Sequence, residues 1–201
     1  MLFGVQWYYW VILLVAIIIA IFAWAKALKA GKARRERLKK EAAIWKRDYE
    51  LREKFTILTE EKLNSTEETE LLHGVCMNIQ VELEKAADMT ESFNSLPNEK
   101  KFVYALEYFD EDAKKSLSAF FKNNGEPLLS IVPDALNTIG AGKYIEHYAT
   151  LLPMYDPDSE VSIDYSVIGK IDEEFKSFYN SDELLRLAGK YILKNKEIFL
   201  S

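Results

Sequence analysis

The tightest constraint on this chain lies in residues 7–25, WYYWVILLVAIIIAIFAWA, nineteen consecutive residues without a charge. At about 1.5 Å rise per residue, a helix of that length reaches about 28 Å, close to the roughly 30 Å hydrocarbon core of a bilayer. Trp7, Tyr8, Tyr9 and Trp10 stand at one end and Trp24 at the other. Amphipathic rings prefer the two lipid–water interfaces, so the placement suits a spanning helix. A cleaved signal peptide is the alternative, since Ala23-Trp24-Ala25 has the form of a cleavage site. No Lys or Arg precedes the run, and it is longer than a typical signal core, so the sequence predicts an uncleaved anchor over residues 1–25.

Residues 26–54 set the orientation. They hold twelve Lys or Arg and five Asp or Glu, a net charge of +7, whereas the six residues before Trp7 have no ionisable side chain. The positive-inside bias then puts the N-terminus outside and residues 26–201 in the cytoplasm, as in a single-pass protein of the inner (cell) membrane. The basic run is also expected to lie on anionic headgroups, at about 1 kcal/mol per nearby Lys or Arg. Direct nucleic-acid binding by the run is not expected. It abuts the anchor, and its mixed charges suit a solvated helix face.

From Lys26 to Leu63 there is no Pro and one Gly, Gly31. Strong helix formers dominate, so a helical stalk is predicted over 26–63. Ile44, Leu51, Phe55 and Leu58 share a helix face, as do Leu38 and Trp45. Two such stalks could pair as a coiled-coil homodimer, although the seam covers barely three heptads and admits Asp48. Asn64-Ser65-Thr66 interrupts the run. Ser65 followed by Glu68 has capping-box spacing and predicts a connecting amphipathic helix over 64–90. Its apolar stripe is Leu72, Val75, Cys76, Ile79, Leu83, Ala86 and Ala87, with His73 beside it on the helix surface.

Residues 91–201 hold eight Phe and eight Tyr but no Trp, enough aromatic volume to fill a core. Caps and breakers divide the region into helices. Ser95 before Pro97 opens the first, with Phe102, Val103, Leu106 and Phe109 inward. The second runs from about Glu111 to Asn123 and buries Leu117, Phe120 and Phe121. The third spans Pro127 to Gly140. The fourth runs from Lys143 to Leu152 and closes at Pro153. The last element covers Tyr165 to Leu200, with a break at Asn180-Ser181-Asp182 and Asp182 as an N-cap. The predicted class is all-α: a transmembrane helix, a stalk and a compact helical domain.

Little in the composition supports catalysis. A single Cys, Cys76, excludes an internal disulfide and a Cys-based zinc site, and His73 and His147 are too few for a His-dependent triad. Asp156, Asp158, Glu160 and Asp164 alternate as in a calcium loop. Counting an EF-hand from Asp156, however, puts Val161 where Gly is needed and Val167 where Glu is needed. Asp172, Glu173 and Glu174 could act as acid and base, or as first-turn residues favouring a helix dipole. Gly140-Ala141-Gly142 lacks the Lys and hydroxyl of a phosphate loop. The sequence therefore predicts no enzyme, no cofactor and no metal site. A hydrolase built on the Asp156–Asp164 carboxylates is the less favoured alternative.

The segments LPNEKKFVYALEYFDED, AFFKNNG, ALNTIGAGKY and IDEEFKSFYNSDELLRLAGKYILKN occur in this order between about residues 95 and 199. Together they resemble the bacterial DNA mimic protein (DMP) family, most of whose members have no established function. Members carry an Asn-Gly-Gly-Phe-like stretch before the paired aromatics, where this chain reads Lys114-Lys115-Ser116-Leu117. The resemblance implies an all-helical fold, no cofactor and acidic binding of a nucleic-acid-binding protein. The net charge of residues 91–201 is −7, from 19 acidic and 12 basic side chains, so the sign agrees. The expected function is a non-catalytic, membrane-anchored protein-binding module, with an immunity-type or regulatory protein as the alternative. Asp110, Glu111 and Asp112 rank first as binding residues, followed by Asp172, Glu173 and Glu174. Removing the charge of the first three isosterically is expected to leave the fold intact.

Overall fold

The structure is a computed structural model. It describes residues 7–156 and 158–201, with side-chain detail at scattered positions before Asp48 and throughout from Tyr49 onward. Helix accounts for 79% of the chain and no strand forms among the described residues, so the fold is all-α. The helices are α1 (Trp7–Lys54), α2 (Glu60–Ser65), α3 (Glu68–Glu84), α4 (Met89–Ser95), α5 (Asn98–Ala113), α6 (Leu117–Asn123), α7 (Leu128–Thr138), α8 (Ile145–Tyr155), α9 (Tyr165–Phe178), α10 (Ser181–Lys194) and α11 (Lys196–Phe199). A 3₁₀ turn at Gly142–Tyr144 leads into α8. The chain divides into two units, Met1–Glu50 and Leu51–Ser201.

The first unit is α1 up to Glu50. Leu38, Ile44, Trp45 and Tyr49 are exposed along it. Ion pairs one turn apart, Arg37 with Glu41 (3.1 Å) and Lys46 with Glu50 (3.6 Å), support the helix at about 0.3–0.5 kcal/mol each. Most side chains of the uncharged run 7–25 lie outside the described residues, and the expected membrane span lies there with them. Among the described residues no helix is long and apolar enough to cross a membrane.

In the second unit the helix expected over 26–63 ends at Lys54, and Leu51, Phe55, Leu58 and Leu63 turn into the core. The cause is a seat on α3. Gly74 lies so close to Phe55 that a Cβ there would stand 2.4 Å from the ring. One turn on, the buried Asn78 donates from Nδ2 to the carbonyls of Phe55 (2.9 Å) and Thr56 (3.1 Å). These are acceptors of the kind a helix end leaves open. Thr59 then caps α2 by accepting the Lys62 N–H at 3.3 Å. Ser201 closes the joint: its amide donates to the Leu58 carbonyl (3.1 Å), and its hydroxyl oxygen accepts the Leu58 N–H (2.9 Å).

The capping box expected at Ser65 does not form. Ser65 is the last residue of α2, and α3 starts after Glu67 without a side-chain cap. Leu72, Val75, Cys76, Ile79 and Leu83 are buried as the stripe predicts, while Ala86 and Ala87 fall beyond the helix end. α3 crosses α10 at Gly189, where an added Cβ would come within 2.2 Å of the Glu68 carbonyl oxygen. Glycine permits that approach because it has no side chain to displace.

α5 lies at the centre and buries Val103, Leu106 and Phe109. It continues to Ala113, so the second expected helix starts at Leu117 rather than Glu111. Ser116 restarts the chain there by accepting the Ala119 N–H at 3.1 Å. Phe109, Phe120, Phe121, Tyr148 and Phe175 meet with ring centroids 4.7–6.4 Å apart, tilted or edge to face, as ring quadrupoles favour. α7 ends as its glycine predicts. Gly140 has φ +82°, the Ala141 N–H reaches the Leu136 carbonyl (2.8 Å) and the Gly140 N–H reaches Asn137 (3.1 Å). Asn180, not Asp182, caps α10, accepting the Glu183 N–H at 3.1 Å.

Two prolines sit inside helices. Pro153 does not close α8, which runs on to Tyr155, and Pro133 lies within α7. Pro133 has no N–H to offer the Leu129 carbonyl four residues back. The buried Tyr148 hydroxyl donates to that carbonyl instead, at 2.8 Å. The helix tolerates the proline because a neighbouring helix supplies the missing donor.

Candidate protein-binding surface

The last turn of α5 carries Asp110, Glu111 and Asp112, and the fold sends these neighbours to different tasks. Successive helical residues point about 100° apart, so three in a row cannot share a face. Asp110 is only 2% exposed. It accepts the Tyr179 hydroxyl at 2.6 Å, with Lys114 Nζ also 2.6 Å away. The bond ties α5 to the joint between α9 and α10. Burial, reinforced by the Asp110 carboxylate, pushes the Tyr179 phenol far above its usual range. Asp112 is 7% exposed. It accepts from Lys115 (2.8 Å), Asn123 (2.9 Å) and Asn124 (3.0 Å), closing the turn between α5 and the end of α6. Burial alone would raise its carboxyl, but those hydrogen bonds outweigh it and hold the group below its ordinary value.

Asp110 and Asp112 are therefore internal braces, and the fold does not present them to a partner. Glu111 alone of the three is exposed. Its carboxyl is raised by partial desolvation and then by the Glu107 carboxylate one turn away.

The second acidic run lies inside α9 rather than in a first turn. Asp172 accepts the Ser118 N–H (2.8 Å) and the Ser118 hydroxyl (2.6 Å), placing negative charge at the start of α6, where the helix dipole favours it. Glu173 and Glu174 are exposed. Glu174 stands 3.7 Å from His147 Nε2 and 3.8 Å from Lys170. Of the six candidates, three serve the fold and Glu111, Glu173 and Glu174 face solvent.

Between α3 and α5 runs a polar seam. His73 Nδ1 meets the buried Glu107 carboxylate, Gln80 donates to the Tyr108 hydroxyl (3.3 Å), and the Tyr104 and Tyr108 hydroxyls are 3.2 Å apart. Cys76 is buried beside it. Burial first, then the Glu107 and Glu111 carboxylates, push its thiol up, which removes it as a nucleophile. The pairing of His73 with Glu107 is not visible in the sequence, because it depends on how two helices register across 34 residues.

The loop from α8 to α9 is the remaining acidic feature, and Asp156, Asp158, Glu160 and Asp164 are all exposed. Asp156 accepts the Asp158 N–H at 2.9 Å. Asp164 caps α9, accepting both the N–H and the hydroxyl of Ser166 at 2.9 Å, which holds its carboxyl below the ordinary value. Among these acids sit apolar side chains open to solvent: Val161 and Ile163 at 49% and Tyr165 at 76%. The alternation Glu160-Val161-Ser162-Ile163-Asp164 is the signal in the sequence that points to them. Shallow grooves mark the surface of the described residues. One of about 350 Å³ lies against Phe93, Tyr104 and Pro127, and one of about 340 Å³ lies beside Lys190, Tyr191 and Lys194. Neither includes a carboxylate of the loop. Among the described residues no group of three or more His, Cys, Asp or Glu is placed to hold a metal ion.

Residues 94–195, half of the chain, match the family model described as DMP19-like protein. The chain belongs to the DMP19-like protein family. No curated protein and no solved structure matches it. The DMP19-like span runs from the end of α4 to the residue after α10 and leaves out α3. The contact of Gly189 with Glu68 nevertheless packs α3 into the same unit.

Proposed function

We propose that this chain is a non-catalytic protein-binding module of DNA-mimic type, tethered to the inner membrane by residues 7–25 with residues 26–201 in the cytoplasm. The observation that carries the binding reading is the DMP19-like match over residues 94–195. The uncharged nineteen-residue run and the +7 segment behind it support the tether and its orientation. The partner is a nucleic-acid-binding protein whose basic surface meets carboxylates in place of phosphates. Among the candidate carboxylates singled out from the sequence, those left to solvent are Glu111, Glu173, Glu174 and the acids of the Asp156–Asp164 loop. Against a hydrolase built on that loop, its acids stand in open solvent and line neither of the two grooves described.

The test starts from the intact chain crosslinked in membranes, followed by identification of the partner. The purified partner is then bound to its own DNA, and the chain is added at rising salt. Displacement of the DNA that weakens clearly above about 0.15 M salt is expected, since the Debye length there is roughly 8 Å. A partner that does not bind nucleic acid, or DNA that stays bound, refutes the mimic reading. A reporter active only in the cytoplasm, fused after Ser201, tests the orientation. An inactive fusion at normal expression refutes it.

A further inference from the structure

The segment Ser159–Asp164 forms no helix or turn, and Asp164 ends it as the N-cap of α9, with the extended backbone that an N-cap takes (φ −112°, ψ 102°). Among the described residues, the backbone groups of Glu160, Ser162 and Ile163 make no hydrogen bond. Val161 and Ile163 are each half exposed and sit two apart, with Glu160, Ser162 and Asp164 between and around them. Residues 156–165 contain four acids and no Lys or Arg. Bare backbone donors and acceptors, period-two apolar side chains and acids without a neighbouring Lys or Arg are together what a segment needs in order to add to a sheet as a strand.

We infer that Glu160–Asp164 docks by strand addition onto the exposed edge of a partner's β-sheet, one whose edge strand alternates Lys or Arg with apolar residues. The choice of occupant follows from charge and stability. A second copy of this chain is disfavoured: two-fold pairing about Ser162 sets Glu160 opposite the Asp164 of the other copy, and like charges directly opposite destabilise a pair. An isolated two-stranded ribbon is marginal in water, so the partner must bring a sheet that already exists. Exposed sheet edges are commonly guarded by lysines, and the acids of this segment would neutralise such guards. The inference rests on the binding-module reading and names the surface it uses. The experiment below reads the segment alone, while the DNA-displacement assay decides the mimic reading separately.

The probe is a disulfide-cyclised β-hairpin whose strands alternate Lys with Val or Ile, compared with the same hairpin carrying Glu for Lys. Amide exchange of the full chain is followed by NMR as each hairpin is added. The lysine hairpin should slow exchange at Glu160–Asp164, with binding that weakens as salt rises, and the glutamate hairpin should not bind. Val161→Ser with Ile163→Ser should weaken binding roughly tenfold, since two cross-strand pairs are lost. Both side chains are half exposed, so the variant should keep the parent's melting temperature. Equal binding of both hairpins, protection elsewhere in the chain, or no protection at 160–164 overturns strand addition. Protection at 160–164 in the chain alone, rising with its concentration, overturns it in favour of self-pairing.

Discussion

Replacing Asp112 by Asn is expected to destabilise the fold, whereas replacing its neighbour Glu111 by Gln is not. The Asn side chain keeps one acceptor oxygen and converts the other into a donor. That donor faces the donating amide of Asn123 or Asn124, which now lie 2.9 and 3.0 Å from the carboxylate. At least one charge-assisted bond is lost and a buried polar group is opposed, a cost of about 1.5–3 kcal/mol. The Lys115 pair adds little, because that side chain is 67% exposed and well screened. In a protein of this size about 2 kcal/mol lowers Tm by roughly 4–8 °C. The dependence on pH has a definite sign. The Asp112 carboxyl is depressed in the fold, so its contribution is complete above the unfolded value of about 3.9 and fades as pH falls through the folded one. The gap between parent and Asp112→Asn should therefore close in acid. Glu111 runs the other way. Its raised carboxyl penalises the charged form in the fold at neutral pH, so Glu111→Gln should lie within about 0.5 kcal/mol of the parent or slightly above it. Thermal unfolding of the full chain in detergent, followed by near-ultraviolet circular dichroism of the aromatic core, measures both. If Asp112→Asn melts with the parent at neutral pH, or Glu111→Gln falls equally far, Asp112 is not a brace.

Tyr148→Phe should cost about 1–3 kcal/mol by stranding the Leu129 carbonyl, and much less in a Pro133→Ala background, where the restored N–H takes over. Equal losses in the two backgrounds, measured by denaturant titration, would show that the hydroxyl does not replace the proline's missing donor. Gly189→Ala should cost about 3 kcal/mol, because the neighbour it strikes is the Glu68 backbone rather than a movable side chain. Gly140→Ala meets open space and should cost only about 1–2 kcal/mol from its left-handed φ, so a melt in which it falls below Gly189→Ala would refute this ordering.

The fold class and the local signals were legible in the sequence, and the pairings were not. Gly140 announced the end of α7, and the stripe Leu72 to Leu83 named the buried face of α3, because both depend on residues within a turn or two. The end of α1 is not written in its own residues. Lys26 to Leu63 has every local mark of a helix, and what stops it is Gly74 and Asn78, the second of them 23 residues beyond the Phe55 carbonyl it holds. Pro153 reads as a terminator and Ser65 as a cap, and neither acts as one, since local rules compete with the packing of α8 and with the end of α2. The acidic runs were legible as runs. Which carboxylates point inward depends on Tyr179, Asn123, Asn124 and Ser118, set by tertiary register that no spacing rule contains.

That difference bears on how a helical protein can imitate nucleic acid. B-DNA carries one charge per about 1.7 Å of axis, and consecutive helical residues rise by about 1.5 Å, so an acidic triplet looks like phosphate spacing in one dimension. On a helix the same triplet sweeps through more than half a turn, and in α5 the outer two members were claimed by the core. A carboxylate that accepts two or three internal hydrogen bonds has few lone pairs left for a partner's lysines. It also cannot lose its charge without loosening the fold. Charge that is free to bind must come from positions the fold does not need. Among the candidates in this chain those are Glu111 on α5, Glu173 and Glu174 on α9, and the loop before α9, where among the described residues Asp156 accepts only the Asp158 N–H and the Asp158 and Glu160 carboxylates accept no hydrogen bond. On the proposed reading, binding falls to such irregular segments and helix faces, and the residues to test are the carboxylates that the core has not engaged.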